Sequence, residues 1–445
     1  MNTRAQEVQD DLTKVGPGTT MGGFMRQYWI PAALSSELVA DGDPIRLKLL
    51  GEKLIAFRDS AGRAGVMDHR CPHRNASLFL GRNEEGGIRC VYHGWKFAAD
   101  GACLEQANVR PEDRFCDQVR AGAYPTVEQG GLIWIYMGER STPPPLPMIE
   151  VASIPEAAIE IQPVMRSCNW LQALEGDIDT SHFGFLHIGH VAADELEADN
   201  PMRGTVTNRA PSYRVRDTPW GTSYGAHRSG GEGQTYWRFA NFMFPFWTQQ
   251  PQGPFGRNVH ARAWVPLDDE HTMFINVMWS ELTDRASIAP RRVDGTAIEG
   301  LDIVNNYAPN TTDWLGRWRL VAHEGNDWMI DREAQREGRI FTGIGDVHLQ
   351  DQAVTESMGP ITDFSNEHLT TSDQMISRTR RRVLLAARAW RDEGTVPPGV
   401  DDADVFYGSR SGFFLTGDDV DWLDAYESEL SEAERPGRAE RSTSQ

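Results

Sequence analysis

The chain has 445 residues, 44 Lys and Arg against 64 Asp and Glu, and five cysteines. Its net charge of −20 leaves no concentrated basic stripe for a phosphate backbone, so neither nucleic acid nor an anionic membrane surface is expected as a partner. No apolar run approaches the roughly 18 residues needed to span a bilayer, and the polar start MNTRAQEVQDD carries no export signal, so a cytoplasmic chain with free thiols is expected.

From about Arg46 to Met137, short β-type runs (RLKLL, KLIAF, GLIWIYM) are broken by Gly, Asp and Asn, which predicts a small antiparallel β-domain. Ser141 to Pro147 holds four prolines in seven residues and can continue neither a central strand nor a helix. Beyond it, strand-like runs (TYWRFANFMF, HARAWVPL, HTMFINVMW) alternate with helical ones. The expected fold class is therefore α+β: an all-β domain with an N-terminal extension over residues 1–142, a larger domain over 143–427 with an antiparallel sheet flanked by helices, and a polar tail over 428–445. Thr371 to Arg391 predicts a helix capped by Ser372 or Asp373, with Ile376, Val383, Leu384, Ala387 and Trp390 at near-helical spacing. Its Arg378, Arg380, Arg381 and Arg382 are expected to form a solvated face or local salt bridges.

The first chemical constellation lies in DHRCPHRNASLFLGRNEEGGIRCVYHGWKF: Cys71-x-His73, then sixteen residues, then Cys90-x2-His93. A tetrahedral zinc site takes the same atoms, but zinc spacing usually groups the two cysteines and the two histidines separately. Here each loop offers one of each. That suits two metal atoms, with Cys71 and Cys90 on one and His73 and His93 on the other, which is the Rieske 2Fe–2S arrangement. Pro72 and Gly94-Trp95 match it as well. Cys103, Cys116 and Cys168 are left over as small core residues.

The second constellation is Asp179-x2-His182-x4-His187 in NWLQALEGDIDTSHFGFLHIGH. On a helix Asp179 and His182 share a face, so the carboxylate can orient the imidazole while its other nitrogen binds a metal. His182 and His187, five apart, can meet at one metal only where the helix ends or bulges, and Gly184 sits between them. Two histidines and a carboxylate would form the facial triad that leaves positions open for dioxygen on Fe(II).

Together the two motifs make the chain resemble the large subunit of the Rieske non-heme iron aromatic-ring oxygenases. IDREAQREGRIFTGIG, LQDQAVTESMGPITD, EHLTTSD and MGGFMRQYWIP extend the resemblance over nearly the whole chain, toward the phthalate dioxygenase-like subgroup. Phe364 departs from that subgroup, where Arg is expected. The resemblance implies one Rieske cluster and one mononuclear Fe(II), with His182, His187 and Asp351 as ligands of the latter. Asp346, Glu356 and His348 are chemical rivals of Asp351. It also implies that Asp179 is the acid bridging to His93 of the partner subunit, with Glu175 and Asp177 as rivals, and hence a homotrimer or a hexamer of stacked trimers.

Substrates in the subgroup are commonly aromatic carboxylates, whose charge needs a forked cation. Arg228 and Arg238 are the candidates, and Phe242, Phe244, Phe246 and Trp247 could line a ring slot or be core. With no plant-type ferredoxin motif and no dinucleotide fingerprint, electrons are expected from a separate NAD(P)H-dependent reductase. Ring dihydroxylation is the expected reaction, with O-demethylation of a methoxylated aromatic acid as the alternative. A Rieske carrier without catalysis is the alternative of another class. About three irons and two sulfides per chain would fit an oxygenase, two irons a carrier, and zinc alone a binding module.

Overall fold

The computed structural model describes residues 3–198, 200, 202–279 and 291–436. At the start, α1 (Thr3–Thr13) and α2 (Thr20–Met25) lead into β1 (Trp29–Leu34), which pairs with β11 (Leu132–Tyr136), itself paired with β10 (Thr126–Gln129). A second sheet joins β2 (Ile45–Leu49), β3 (Glu52–Arg58), β4 (Ala64–Asp68) and β9 (Ala123–Tyr124). A third runs in chain order through β5 (Arg82–Glu84), β6 (Gly87–Arg89), β7 (Trp95–Phe97) and β8 (Cys103–Gln106).

The larger half is built on one antiparallel sheet. Among the described residues its order is β12 (Ile159–Arg166), β18 (Thr272–Trp279), β17 (His260–Pro266), β16 (Trp247–Gln249), β15 (Gln234–Met243), β14 (Gly221–Gly231) and β13 (Ser212–Thr218), with β19 (Gly412–Gly417) also pairing to β15. Helices α3 (Trp170–Asp177), α4 (Met202–Thr207), α5 (Arg332–Arg336), α6 (Val347–Ser357), α7 (Gln374–Glu393) and α8 (Trp422–Glu432) accompany it. No helix among the described residues is long and apolar enough to cross a membrane.

One hydrophobic core runs from α1 and β1 through β11 into the large sheet; it includes Phe24, Trp134, Trp170, Trp247 and Val383. A separate small core of Ile55, Phe57, Met67, Leu78, Ile88, Trp95 and Phe97 supports the Cys71 and Cys90 loops. The two halves are also tied by backbone hydrogen bonds from Leu50 to Pro266 (3.0 Å) and from Gly51 to Leu267 (2.8 Å).

Helix α7 buries Met375, Thr379, Val383 and Ala387, one residue per turn, and ends where Gly394 takes φ +68°. Its start differs from expectation: Asp373 turns back to the Thr370 amide and does not cap the helix with its side chain. Trp390 lies against α2, where a Cβ on Gly23 would come within 2.2 Å of the indole, so the MGG sequence is required by close approach. The basic run is paired internally: Arg378 with Asp217, Arg380 with Glu175 and Glu367, and Arg382 with the Thr218 and Gly221 carbonyls. Phe364 lies under Arg380, 4.0 Å from ring centroid to guanidinium.

The expected polar tail from residue 428 is corrected in part, because α8 runs through that position and buries Tyr426. Arg435 then reaches Glu150 at 3.1 Å. Residues 437–445 of the expected tail lie outside the described residues.

Candidate functional site

Two loops of similar construction carry the first constellation. The Asn75 amide donates to the Cys71 carbonyl at 2.8 Å, and the Gly94 amide to the Cys90 carbonyl at 2.9 Å. Each loop closes on a left-handed residue, Asn75 at φ +59° and Gly94 at φ +75°. Only glycine fits the second turn, since a Cβ there would lie 2.8 Å from that of Ala107.

These turns bring the His73 and His93 rings to 4.5 Å, with His73 stacked on Trp95. The Trp95 indole is pinned by Asn108 at 2.7 Å. Burial pushes the Cys71 thiol up to about 11, and Cys90 beside it adds to the shift. Burial and His93 lower the pKa of His73, so its imidazole is neutral and free to donate a lone pair. His93 Nδ1 is buried with no hydrogen-bond partner among the described residues. An orphaned nitrogen beside two buried thiols fits a metal cluster, because a metal accepts that nitrogen's lone pair and replaces the thiol protons. Cys168 is buried as expected, whereas Cys103 and Cys116 are only half-buried.

The second constellation follows α3. The chain from Phe183 to His187 forms a π-turn, closed by the Ile188 amide on the Phe183 carbonyl at 3.3 Å. A five-residue step in such a turn returns to the same face, which is how His182 and His187 meet. Helix α6 brings Asp351 to them. The Nε2 atoms of the two histidines are 3.2 Å apart, and Asp351 Oδ1 lies 3.5 Å from His182 Nε2 and 3.1 Å from His187 Nε2. A divalent metal with bonds of about 2.1 Å has adjacent ligand edges of about 3 Å, so the three atoms fit one face of a coordination sphere. Among the described residues this trio is the group of three His, Cys, Asp or Glu side chains with metal-binding spacing.

Both ring tautomers are set from behind. The Gln350 amide donates to the Gly300 and Ile344 carbonyls, each at 2.8 Å. Its oxygen therefore faces His187 Nδ1 at 2.8 Å and accepts that proton. Asp179 Oδ2 lies 3.5 Å from His182 Nδ1, while its Oδ1 accepts from the Ser181 amide and hydroxyl, both at 2.7 Å. The two Nε2 lone pairs and a carboxylate thus converge, an arrangement that a cation relieves. Burial would raise the Asp351 pKa, but His187, His182 and Arg166 hold it below the usual carboxylate range. Gln350 was missed in the sequence; its position next to Asp351 is the only signal that could have found it.

The rivals are engaged elsewhere. Glu175 faces Arg380, at 2.5 and 2.6 Å. Asp177 pairs with Arg262, and His348 accepts from the same guanidinium at 3.0 Å. Asp346 caps α6 through the Leu349 amide. Glu356 accepts from the Ser167 amide and the Trp328 indole, both at 2.8 Å.

Arg228 and Arg238 lie on one face of the β14–β15 pair, where the register sets Arg238 opposite Ala226 and Arg228 opposite Tyr236. Neither forms an ion pair among the described residues. Arg228 is 4% exposed, its Nε donates to the Asn208 carbonyl at 2.7 Å, and both Nη atoms are buried without a hydrogen-bond partner. Burial and the adjacent Arg238 lower the Arg228 pKa to about 10. Arg238 donates to Thr180 at 2.9 Å and lies 4.9 Å over the Phe183 ring, next to His182. Phe242, Phe244, Phe246 and Trp247 are core: Phe244 meets Phe24 and Trp247 stacks on Trp134. A groove of about 630 Å³ among Glu37, Arg46, Phe79 and Trp318 contains none of these donors.

Residues 28–120 match the model of the Rieske [2Fe-2S] domain, and residues 135–442 match the model described as LigXa C-terminal domain like. The chain is 52% identical over 422 residues to the 3-chlorobenzoate-3,4-dioxygenase oxygenase subunit of Comamonas testosteroni, covering 95% of this chain and 97% of that protein. It is 35% identical to the phthalate 4,5-dioxygenase oxygenase subunit of Pseudomonas putida, covering 93% and 92%. It is 30% identical to the 5,5'-dehydrodivanillate O-demethylase oxygenase subunit of Sphingobium sp. (strain NBRC 103272 / SYK-6), covering 85% and 79%. The fold resembles that of Pseudomonas putida CBB5 NdmA, with a TM-score of 0.53 at 19% identity, over 91% of this chain and all of that one.

Proposed function

Because the chain belongs to the Rieske non-heme iron oxygenases, as the oxygenase component of a reductase-dependent system with a 2Fe–2S cluster and a mononuclear iron, we propose that it dihydroxylates the ring of an aromatic carboxylate. The observation that carries the substrate class is Arg228: a buried guanidinium with two unpartnered Nη atoms, on the same sheet face as an arginine bonded to Thr180 of the metal loop. A buried cation without an anion is costly, and a forked carboxylate matches its remaining donors.

In this reading Cys71 and Cys90 hold one cluster iron, His73 and His93 the other, and His182, His187 and Asp351 the mononuclear iron. When bound, the cluster would supply single electrons from the reductase and the mononuclear iron the open positions for dioxygen activation. The side chains around them orient and exclude. Gln350 and Asp179 keep each Nδ1 protonated so that each Nε2 remains a donor. Arg228 holds the carboxylate, which orients the ring, and the aromatic core excludes water from behind the sheet.

Asp179 retains 19% side-chain exposure, and exposed Val91 and Tyr92 flank His93 while exposed Phe185 lies beside His182. These features support a homotrimer, or stacked trimers, in which Asp179 meets His93 of the partner subunit. A reductase drawing on NAD(P)H supports a cytoplasmic location for the system.

The test is product analysis with a surrogate reductase and a panel of 3-chlorobenzoate, phthalate, phenoxybenzoate and methoxybenzoates, beside uncharged arenes of the same shapes. A cis-diol from a carboxylate is expected. Formaldehyde released from a methoxybenzoate would favour the demethylase reading, and turnover restricted to uncharged arenes would overturn the carboxylate assignment.

A further inference from the structure

Arg262, in β17, touches both segments that carry the proposed iron ligands. Its Nη1 pairs with Asp177, the last residue of α3, and its Nη2 donates to His348 Nε2 at 3.0 Å, near the start of α6. Asp177 lies five residues before His182, and His348 lies three residues before Asp351. The third guanidinium nitrogen, Nε, is directed at Asn276 Oδ1 at 3.4 Å. The second oxygen of Asp177 accepts from Thr248, whose hydroxyl in turn takes the Trp264 indole N–H at 2.8 Å. Arg262 and His348 are buried, and the Asp177 side chain is 5% exposed.

We propose that Arg262 is a positioning residue that spans Asp177 and His348 and so sets the spacing between the two histidine ligands and the carboxylate ligand of the iron centre. The proposal rests on the reading of His182, His187 and Asp351 as ligands. Its physical basis is that those ligands come from two chain segments whose mutual placement no covalent bond fixes. Backbone hydrogen bonds hold each helix internally; the start of α3 is tied to the end of α6 by the Asn169 amide on the Pro360 carbonyl (2.8 Å) and by Gln172 on the Thr355 carbonyl (2.9 Å), whereas Arg262 ties the end of α3 to the start of α6. A planar guanidinium offers donors at fixed angles, so it reaches an acceptor on each segment at once from a strand rigidly held in the sheet. A lysine keeps the charge as a single point and cannot span both.

The test uses the full chain with its Rieske cluster, measuring ferrous ion bound at equilibrium dialysis and labile sulfide as an internal count of clusters. His348→Phe removes one leg while keeping an aromatic ring beside Phe274, whose ring lies 5.5 Å from that of His348. Ferrous affinity is expected to fall about 10- to 100-fold in His348→Phe and in Arg262→Lys, with the sulfide count unchanged. His348→Gln, which keeps an acceptor for Arg262, should restore it. Should Arg262→Lys fail to fold, His348→Phe against His348→Gln decides alone. Equal affinity in both His348 variants and the parent overturns the proposal. His187→Ala is the control for the underlying reading: if it retains the mononuclear iron, the ligand assignment itself is wrong, whereas iron lost in His187→Ala but kept in His348→Phe sinks the clamp only.

Discussion

Gln350 Oε1 sits 2.8 Å from His187 Nδ1, and the backbone step from Gln350 to Asp351 joins the group that orients one proposed metal ligand to another proposed ligand. The carbonyls of Gly300 and Ile344 hold the amide so that only its oxygen faces the ring.

Gln350→Leu should therefore release the His187 ring and cost about 10- to 100-fold in ferrous affinity. Gln350→Glu, which keeps the acceptor, should cost less. Iron per chain at fixed labile sulfide is the measurement, and equal occupancy in Gln350→Leu and parent would show that the contact does not orient the ligand.

Arg228→Gln removes the forked donor. A hydrogen bond to a charged group contributes about 1.5–3 kcal/mol, so KM for aromatic carboxylates should rise about 10- to 100-fold while that for the matching carboxamides stays within about twofold. Steady-state oxygen uptake across the two series checks this, and a parallel rise in both would point to a collapsed pocket instead.

Asp179→Asn keeps the size of the side chain but not its charge toward His182. Reduction of the Rieske cluster by the reductase should be unaffected, whereas product per reduced cluster in a single turnover should fall about 10- to 100-fold. Unchanged product yield would remove Asp179 from the bridging role.

Lys48 on β2 pairs with Asp268, just after β17, and so helps to join the two halves of the chain. Burial would raise the Asp268 pKa, but hydrogen bonds from His271, Lys48 and the Glu270 amide hold it below the ordinary range. A depressed folded-state pKa stabilises at pH values above the unfolded-state value of about 3.9, and that contribution is lost as pH falls through the folded-state value. Lys48→Met should thus lower stability by about 1 kcal/mol near neutral pH, a figure reduced for solvent screening, and the difference from the parent should shrink below about pH 4. Melting temperature against pH measures it; a difference that persists at acid pH would assign the loss to packing.

Short-range chemistry was legible in the sequence. Cys71 with His73, and Cys90 with His93, sit within single turns, so their spacing alone dictates which atoms can converge. His182 and His187 were legible as a pair on the condition that the helix bulges between them, which the π-turn fulfils. The buried stripe of α7 was legible for the same reason, since its period is local.

The choice among acids was legible only through the family resemblance, which pointed to Asp179 and Asp351, and not from residue chemistry. Glu175, Asp177, Asp179, Asp346, Asp351 and Glu356 are alike in chemistry, and their roles diverge because each meets a different partner brought from elsewhere: Arg380, Arg262, His182, the α6 amides, the paired imidazoles, and the Trp328 indole. Phe242, Phe244, Phe246 and Trp247 became core rather than a ring slot through packing against Phe24 and Trp134, residues far away in the chain. Residue type and spacing determined which donor pairs lie within one loop, Cys71 with His73, Cys90 with His93 and His182 with His187, because those separations are local. That Asp351 stands against the paired imidazoles while its rivals are engaged elsewhere, and that Arg228 is left without an anion, only the tertiary structure decided, because those outcomes depend on long-range burial that pairs some charges and strands others.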